Sequence, residues 1–250
     1  QKVLGKFFMR QSRWLLHRAV KVVATSPNYI EGSAQLRSVR GKCTVIPCCA
    51  NEARISVDDA VKARAEEVRR EYAGKTLLFA VGRHVPYKGM EYLVRASKFL
   101  DDGYAVCIGG SGPLTPELKS LAEGDAKVHF LGRVSDLDLK AYLCACDIFC
   151  FPSVTKNEAF GIALAEAMSF AKPAVTFTIE GSGVNYVSLD KVTGIECPNG
   201  DAEAYAAAIR TLAENEALRR RYGAAARERV QALFTQEKFA EHVHALLAEL

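Results

Sequence analysis

The stretch TLLFAVGRHVPYKGMEYLVRASKFL, residues 76–100, contains an apolar run, a turn with glycine and positive charge, and an amphipathic segment. The apolar run 76–81 predicts a buried strand, and the spacing of apolar residues over 88–100 predicts a helix. The same alternation continues along the chain. Further strands are predicted at 104–108, 127–131, 147–151, 173–177 and 192–196, with helices at 114–123, 136–146 and 160–170.

Strands that are apolar on both faces and alternate with helices indicate a parallel sheet covered on both sides. The predicted fold class is therefore α/β, with a doubly wound, Rossmann-like parallel sheet. In such a sheet, ligands are expected beyond the carboxyl ends of the strands. Three closing helices are predicted at 201–213, 215–231 and 236–249.

The first part of the chain has a different pattern. A helix is predicted from Lys2 to Val23, and its last residues, within KVVATS (21–26), also have the composition of a short strand. Ser26 is then a helix cap with Pro27 at the first helical position. CTVIPCC (43–49) is predicted to be a strand or an extended linker, and a charged helix is predicted over 57–72.

Composition excludes several classes of protein. The chain has 250 residues, 49% hydrophobic and 25% charged, which is typical of a globular domain and not of a disordered one. It has no apolar run long enough to predict a membrane-spanning helix, and its start resembles neither a signal nor a transit peptide. Residues 1–42 carry +8 and the remainder −4, so a uniformly basic nucleic-acid-binding protein is not predicted.

The eight cysteines lie mostly in apolar runs, which predicts reduced, buried thiols and favours a cytoplasmic compartment. Cys144, Cys146 and Cys150 lack the paired C-x-x-C spacing of a zinc site, and no histidine lies near them. We therefore interpret this cluster as structural.

Two turns at strand ends are candidate phosphate contacts. After the first strand of the regular pattern, Gly82 is followed by Arg83 and Lys88, which either bind one anion together or are solvated loop cations. After the second, Gly109-Gly110-Ser111-Gly112-Pro113 fits neither G-x-G-x-x-G nor a P-loop. That turn either presents backbone amides to a ligand or is only a tight turn.

Asp136 and Asp138 form a D-x-D sequence, which is also found in metal-dependent sugar transferases. Ser135 followed by Asp138 equally predicts a helix start with a capping box. We favour the cap and predict no metal site here.

PSVTKNEAFGIALAEAMSFAKP (152–173) is the most informative segment for function. Glu158 is predicted in a loop, and Glu166 lies inside a helix among apolar residues, where a carboxylate needs hydrogen-bond donors. A ribose diol supplies two, and amides near Gly161 and Ile162 at the helix start suit a diphosphate. The alternatives are a hydrolase acid/base pair, or glutamates that are structural or solvated.

Together these segments resemble the family 4 glycosyltransferases of the GT-B architecture. The resemblance lies in GRHVPYKG (82–89), GGSGP (109–113), FLGRVS (130–135), EAFGIALAEA (158–167) and EGSGVNYV (180–187). It implies a C-terminal nucleotide-sugar-binding domain at 51–250 and a partial N-terminal acceptor domain with linker at 1–50. The last helix, 236–249, is expected to pack back on that first part.

The resemblance also implies roles for individual residues. Arg83 and Lys88 would hold the donor diphosphate, Glu158 would contact the sugar, and Glu166 would bind the ribose. These implied catalytic residues are Arg83, Lys88 and Glu158; the implied donor-binding residues are Gly82, Gly110, Arg133, Val134, Ala159, Phe160, Gly161, Ile162 and Glu166.

The activity implied is transfer of a sugar from a UDP-, GDP- or ADP-sugar to a glycan, lipid-linked or small-molecule acceptor. Family members retain the anomeric configuration and need neither a metal nor a cofactor. With most of the first domain outside it, the chain is expected to bind donor and to be incomplete for catalysis. A non-catalytic nucleotide-binding α/β module is the alternative function. An NAD-dependent oxidoreductase would need G-x-G-x-x-G after the first strand, which is missing.

The basic helix 2–21 allows two interpretations. It is a surface helix of the first domain, which we favour, or it makes peripheral contact with an anionic membrane near a lipid-linked acceptor. In the second case Phe7, Phe8 and Trp14 would be its apolar anchors.

Overall fold

A computed structural model describes the backbone of residues 2–250 and the side chains of residues 8–250. The strands are β1 (Val22–Ala24), β2 (Cys43–Val45), β3 (Thr76–Val81), β4 (Tyr104–Gly109), β5 (Val128–Gly132), β6 (Ile148–Phe151), β7 (Ala174–Phe177) and β8 (Gly194–Cys197). The first helices are α1 (Lys2–Arg18), α2 (Pro27–Gly32), α3 (Ala34–Arg37), α4 (Glu52–Ile55), α5 (Asp59–Glu71) and α6 (Met90–Ser97). They are followed by α7 (Thr115–Leu121), α8 (Asp136–Ala145), α9 (Ile162–Ser169), α10 (Val184–Val187), α11 (Ala202–Glu214), α12 (Glu216–Leu233) and α13 (Gln236–Ala248).

The main sheet has the strand order β5-β4-β3-β6-β7-β8, and every pairing in it is parallel. The chain first builds outward from β3 to β5, then returns to the other side of β3 with β6. This reversal leaves a crevice at the carboxyl ends of β3 and β6, where ligands of doubly wound sheets bind. The predicted α/β fold class is confirmed, and each of the six predicted strands overlaps one strand of this sheet.

Apolar side chains from both faces of the sheet form the core. All residues of β4 are buried, and the rings of Phe79 and Phe149 meet edge to face across the β3–β6 boundary at a centroid distance of 6.2 Å. On one side Tyr205 of α11 is fully buried, and its hydroxyl donates to the carbonyl of Val175 at 2.6 Å. The strands are thus fixed from both faces, which holds the loops at their carboxyl ends in place.

Several predicted helix boundaries were wrong, and glycine explains two of them. The helix predicted at 160–170 begins at Ile162, because Gly161 before it has a φ of 98°, outside the helical region. The helix predicted at 88–100 begins at Met90 because Gly89 has a φ of 59°. The short helices α3, α4 and α10 were not predicted.

The N-terminal segment forms a small unit beside the main sheet. The helix predicted from Lys2 to Val23 ends at Arg18, since residues 22–24 pair in parallel with 43–45 instead. Ser26 accepts from the amide of Tyr29 at 3.1 Å, so the predicted cap before Pro27 is confirmed. The predicted role of Phe7 as an apolar anchor concerns a side chain outside the described residues.

Contacts join the two ends of the chain. The ammonium of Lys21 lies 2.7 Å from the carboxylate of Glu249, just after α13, and the amide of Ala50 donates to the carbonyl of Phe234 at 2.8 Å. The division at residue 50 stays a prediction. Among the helices of residues 2–250, none combines the length and hydropathy required to cross a bilayer.

The eight cysteines are free thiols, and half of them are buried. Burial raises the pKa of Cys107 to about 12 and that of Cys146 to about 11, so both stay protonated at neutral pH. No group of three or more possible metal-ligating side chains occurs among the described residues.

Candidate active site

A pocket of about 400 Å³ opens at the carboxyl ends of β3, β4 and β5. Loops that follow these strands form most of its wall, and α4 and the start of α8 close it. Its lining residues are Arg54, Val81, Gly82, Arg83, Gly110, Ser111, Arg133, Val134, Asp136 and Leu139. Five of the predicted site residues, Gly82, Arg83, Gly110, Arg133 and Val134, therefore line one pocket.

The two glycines in this wall allow close backbone contact. Gly110 has a φ of 111°, and a β-carbon there would lie 1.9 Å from the carbonyl oxygen of Gly82. The Gly110 amide donates to the carbonyl of Gly132 at 2.6 Å, and the Gly82 amide to Gly109 at 3.1 Å. Their amides are thus already used within the protein. Both glycines shape the pocket, but neither offers it a free N–H group in this structure.

Glu166 is a buried carboxylate that does not line the pocket itself but contacts Arg54, which does. It lies on α9 with its side chain 3% exposed, and its Oε1 atom has no hydrogen-bond partner among the described residues. Arg54 is the nearby cation, with a guanidinium nitrogen 3.8 Å from Oε1. Burial raises the pKa of Glu166, Arg54 opposes that shift, and Asp136 adds to it. Such an orphaned acceptor favours a ligand that donates hydrogen bonds.

Arg54 connects this carboxylate to the pocket. Its side chain is about half exposed, it lines the pocket, and its Nε lies 4.0 Å from Asp136. Sequence reasoning did not identify Arg54. It precedes Glu166 by more than a hundred residues, and the packing of α4 beside α9 brings the two together. No local sequence pattern therefore predicts the pair.

Lys88 and Glu158 form an ion pair beside the pocket. Both side chains are largely buried, and the hydroxyl of Ser153 donates to the same Glu158 oxygen at 3.0 Å. The Lys88 ammonium lies 5.1 Å from the centre of the Phe151 ring. A β-carbon on Gly82 would lie 3.6 Å from the Lys88 side chain, so the lysine stem runs along the pocket wall.

The amino end of α9 meets the same aromatic ring. A β-carbon on Gly161 would lie 3.4 Å from the ring of Phe151. The first amides of an α-helix have no acceptor within the helix, and the helix dipole makes this end positive. Lys88, Glu158 and Gly161 therefore form a second cluster, which adjoins the pocket through Gly82.

The two aspartates of the D-x-D sequence have different surroundings. Ser135 accepts from the amide of Asp138 at 3.0 Å, so the predicted helix cap is confirmed. The Asp138 carboxylate also accepts from Arg64 at 2.8 Å, which lowers its pKa. Asp136 instead lines the pocket with a largely exposed side chain.

Comparison with known proteins identifies the relatives of this chain. Residues 61–229 match the family model described as "Glycosyl transferases group 1". The chain is 33% identical over 239 residues to O-antigen chain mannosyltransferase C of Escherichia coli, covering 95% of this chain and 62% of that protein. It is 35% identical over 239 residues to D-rhamnosyltransferase WbpZ of Pseudomonas aeruginosa, covering 94% and 61%. The chain thus spans about three fifths of the length of these relatives.

Solved structures show the same fold. Sucrose-phosphate synthase of Thermosynechococcus elongatus matches with a TM-score of 0.78 at 26% identity, over 95% of this chain and 60% of that one. HepE of Anabaena, solved in complex with UDP and glucose, matches with a TM-score of 0.80 at 19% identity, over 93% and 64%.

Proposed function

Because the chain belongs to the glycosyl transferases group 1 family, we propose that it is the donor-binding part of a retaining, metal-independent glycosyltransferase. In this proposal the pocket holds the nucleoside of a nucleotide-sugar, and the adjoining cluster of Lys88, Glu158 and Gly161 holds the diphosphate and the sugar. The protein transfers the sugar to a glycan or lipid-linked acceptor.

The orphaned carboxylate of Glu166 is the observation that supports the proposal most directly. A buried carboxylate oxygen without a donor is costly, and a ribose offers two adjacent hydroxyls that can supply one. Arg54 favours the charged form of this carboxylate against the effect of burial, and it connects Glu166 to the pocket that it lines. A hydrolase acid/base role fits less well, because Glu158 is already paired with Lys88.

Positive groups suit the diphosphate. Arg83 lines the pocket, the Lys88 side chain packs along Gly82 in the pocket wall, and the amino end of α9 adjoins the Phe151 ring that Lys88 also contacts. A departing nucleoside diphosphate gains negative charge on the oxygen that leaves the sugar. Preorganised cations and amides at that point stabilise it in the transition state more than in the ground state.

In this proposal the acceptor hydroxyl attacks the anomeric carbon on the same face from which the diphosphate leaves, so the anomeric configuration is retained. The protein then needs no nucleophilic side chain of its own, and its tasks are positioning and charge stabilisation. Two cations supply the stabilisation that a metal ion gives in other sugar transferases.

The relatives suggest the sugar. The two relatives at 33% and 35% identity are named as a mannosyltransferase and a D-rhamnosyltransferase, the first of an O-antigen chain. We therefore propose mannose or a related deoxyhexose as the transferred sugar and a growing polysaccharide as acceptor. Since the chain spans about three fifths of these proteins, the acceptor site is assigned to the remainder of such a protein.

Calorimetric titration with UDP, GDP and ADP tests the donor site, and the sugar form of the tightest nucleotide then tests transfer. We expect one nucleoside diphosphate to bind more tightly than its nucleoside by at least about tenfold. NMR of the product formed on an acceptor glycan would show the same anomeric configuration as the donor. Binding without any transfer by a chain that includes the acceptor part would favour the non-catalytic module instead, and an inverted product would refute retention.

A further inference from the structure

The N-terminal segment touches the loop that contains Glu158 through backbone-level contacts. Gly32, at the end of α2, packs directly on Gly181: a β-carbon on Gly32 would lie 2.3 Å from the Gly181 Cα, and one on Gly181 would lie 2.5 Å from the Gly32 Cα. The hydroxyl of Thr25 donates to the carbonyl of Ala159 at 3.1 Å. The ammonium of Lys156 donates to the carbonyl of Gly32 at 3.0 Å.

The segment around Gly181 in turn holds the same loop. The Ser182 hydroxyl donates to the carbonyl of Glu158. A β-carbon on Gly183 would lie 2.1 Å from the carbonyl oxygen of Ala159, so the two backbones are in direct contact. Residues 154–161, here named the donor loop, are therefore held by residues 25–32 and 181–183. The contacts use the carbonyls of Glu158 and Ala159 and the ammonium of Lys156, while the Glu158 side chain reaches Lys88.

We propose that Thr25 and Gly32 are positioning residues for the donor loop. The inference rests on the proposed function, in which this loop and the amino end of α9 contact the diphosphate and the sugar. In this proposal, Thr25 and Gly32 contact neither the diphosphate nor the sugar. They act through Ala159 and Gly181. The position of the N-terminal segment against the donor loop therefore affects the affinity of the diphosphate subsite.

Because Gly32 and Gly181 lie so close together, this link is sensitive to any added side-chain volume at either residue. A methyl group at residue 32 cannot fit against Gly181 unless the two segments move apart, because the atom it would meet belongs to backbone. Any such movement pulls Gly32 and Thr25 away from Lys156 and Ala159. Displacements of about 1 Å at catalytic groups are enough to reduce rates up to about a hundredfold.

The test compares Gly32→Ala and Thr25→Val with two matched controls. Gly41→Ala adds the same methyl in the same N-terminal segment, where nothing lies within 4 Å. Thr25→Ser keeps the hydroxyl. Affinities for UDP, GDP and ADP, and for the corresponding nucleosides, are measured by calorimetry. We expect Gly32→Ala and Thr25→Val to weaken the tightest-binding nucleoside diphosphate by at least about fivefold and its nucleoside by less than about twofold. Both controls should stay at the wild-type affinities.

Hydrogen exchange of the peptide spanning 154–162 gives a second readout that needs no ligand. We expect faster exchange in Gly32→Ala and Thr25→Val than in the controls. Unchanged exchange and affinity in both variants would overturn the inference, and so would equal losses for diphosphate and nucleoside. A wild-type protein that binds none of UDP, GDP and ADP would refute the proposed function instead. The exchange rates would then still decide whether Thr25 and Gly32 fix the loop.

Discussion

A guanidinium nitrogen of Arg54 lies 3.8 Å from Oε1 of Glu166, a carboxylate oxygen that accepts no hydrogen bond from the described part of the protein. The distance is short enough for charge attraction and too long for a hydrogen bond. Arg54 therefore favours the charged form of the carboxylate without donating a hydrogen bond to it, which leaves its acceptor capacity for a ligand.

Replacing Glu166 tests the ribose assignment. We expect Glu166→Ala to abolish the preference for UDP or GDP over the corresponding 2′,3′-dideoxynucleotide, which in the wild type should be roughly tenfold. Glu196→Ala is the control. Burial also raises the pKa of Glu196, but that residue contacts Thr178 and Asp190, whereas Glu166 contacts the pocket residue Arg54. A preference that survives in Glu166→Ala would remove the ribose contact from this residue.

Replacing the cations tests the diphosphate assignment. Arg83→Ala or Lys88→Ala should weaken nucleoside diphosphate by at least about tenfold while leaving the nucleoside nearly unchanged, as expected for charge-assisted contacts. Lys127→Ala is a matched control, since the Lys127 side chain is as exposed as that of Lys88, 14%, and is also ion-paired. Calorimetry showing equal losses for both ligands would argue against a clamp on the diphosphate.

Chelators should leave donor binding intact. The Asp138 carboxylate accepts from the hydroxyl of Ser135 and from Arg64, each at 2.8 Å, so Asp138→Ala should lower the free energy of unfolding by about 1 kcal/mol without changing nucleotide affinity. Titrations with and without EDTA, and thermal unfolding of the variant, check both statements. An affinity that depends on added metal would make Asp136 and Asp138 candidate ligands again.

The pH dependence of binding should follow Glu166. Burial raises its pKa in the free protein, so affinity should fall as the pH drops through that raised value, where the carboxylate gains a proton. Arg54→Ala removes the charge that opposes the shift, and the fall should then begin at a higher pH. Asp136 raises the same pKa, so in Asp136→Asn the fall in affinity should begin at a lower pH than in the wild type. Identical profiles in all three proteins would contradict this account.

The same shift has a consequence for folding stability. A glutamate with a raised pKa in the folded state binds its proton more tightly there than in the unfolded chain. The proton therefore contributes to the free energy of unfolding at low pH. This contribution is lost as the pH rises from the pKa of the glutamate in the unfolded chain through its pKa in the folded protein. We expect Glu166→Gln to raise the free energy of unfolding at neutral pH, and the gain to vanish below the ordinary pKa of glutamate. Denaturant titrations at several pH values measure this difference.

The fold was predictable because its signal is local. Each strand is a short apolar run, and helical patterns, several of them amphipathic, alternate with these runs, so the alternation alone indicates the doubly wound sheet. Predicted boundaries were wrong where a single residue at the end of an element makes other hydrogen bonds or has a non-helical backbone. The strand expected from residue 147 begins at Ile148, because the Asp147 carboxylate accepts from Arg69 and from the amide of Leu77.

The site was only partly predictable for the opposite reason. Sequence patterns pointed to Arg83, Lys88, Glu158 and Glu166 one by one, yet the ion pair between Lys88 and Glu158 joins residues that are 70 positions apart. The Arg54 contact spans a still longer stretch of chain. Such pairs depend on how helices and loops meet at the edge of the sheet, which no local spacing encodes.

The reversal of strand order between β3 and β6 divides the proposed donor site by chain position. Gly110, Arg133 and Val134, on the nucleoside side, follow β4 and β5, whereas Glu158 and Gly161, on the sugar side, follow β6. Under the proposed function, the base and the sugar are therefore recognised by two consecutive blocks of the polypeptide. A hybrid that borrows residues 104–146 from a relative would inherit that relative's choice of nucleobase while keeping its own choice of sugar.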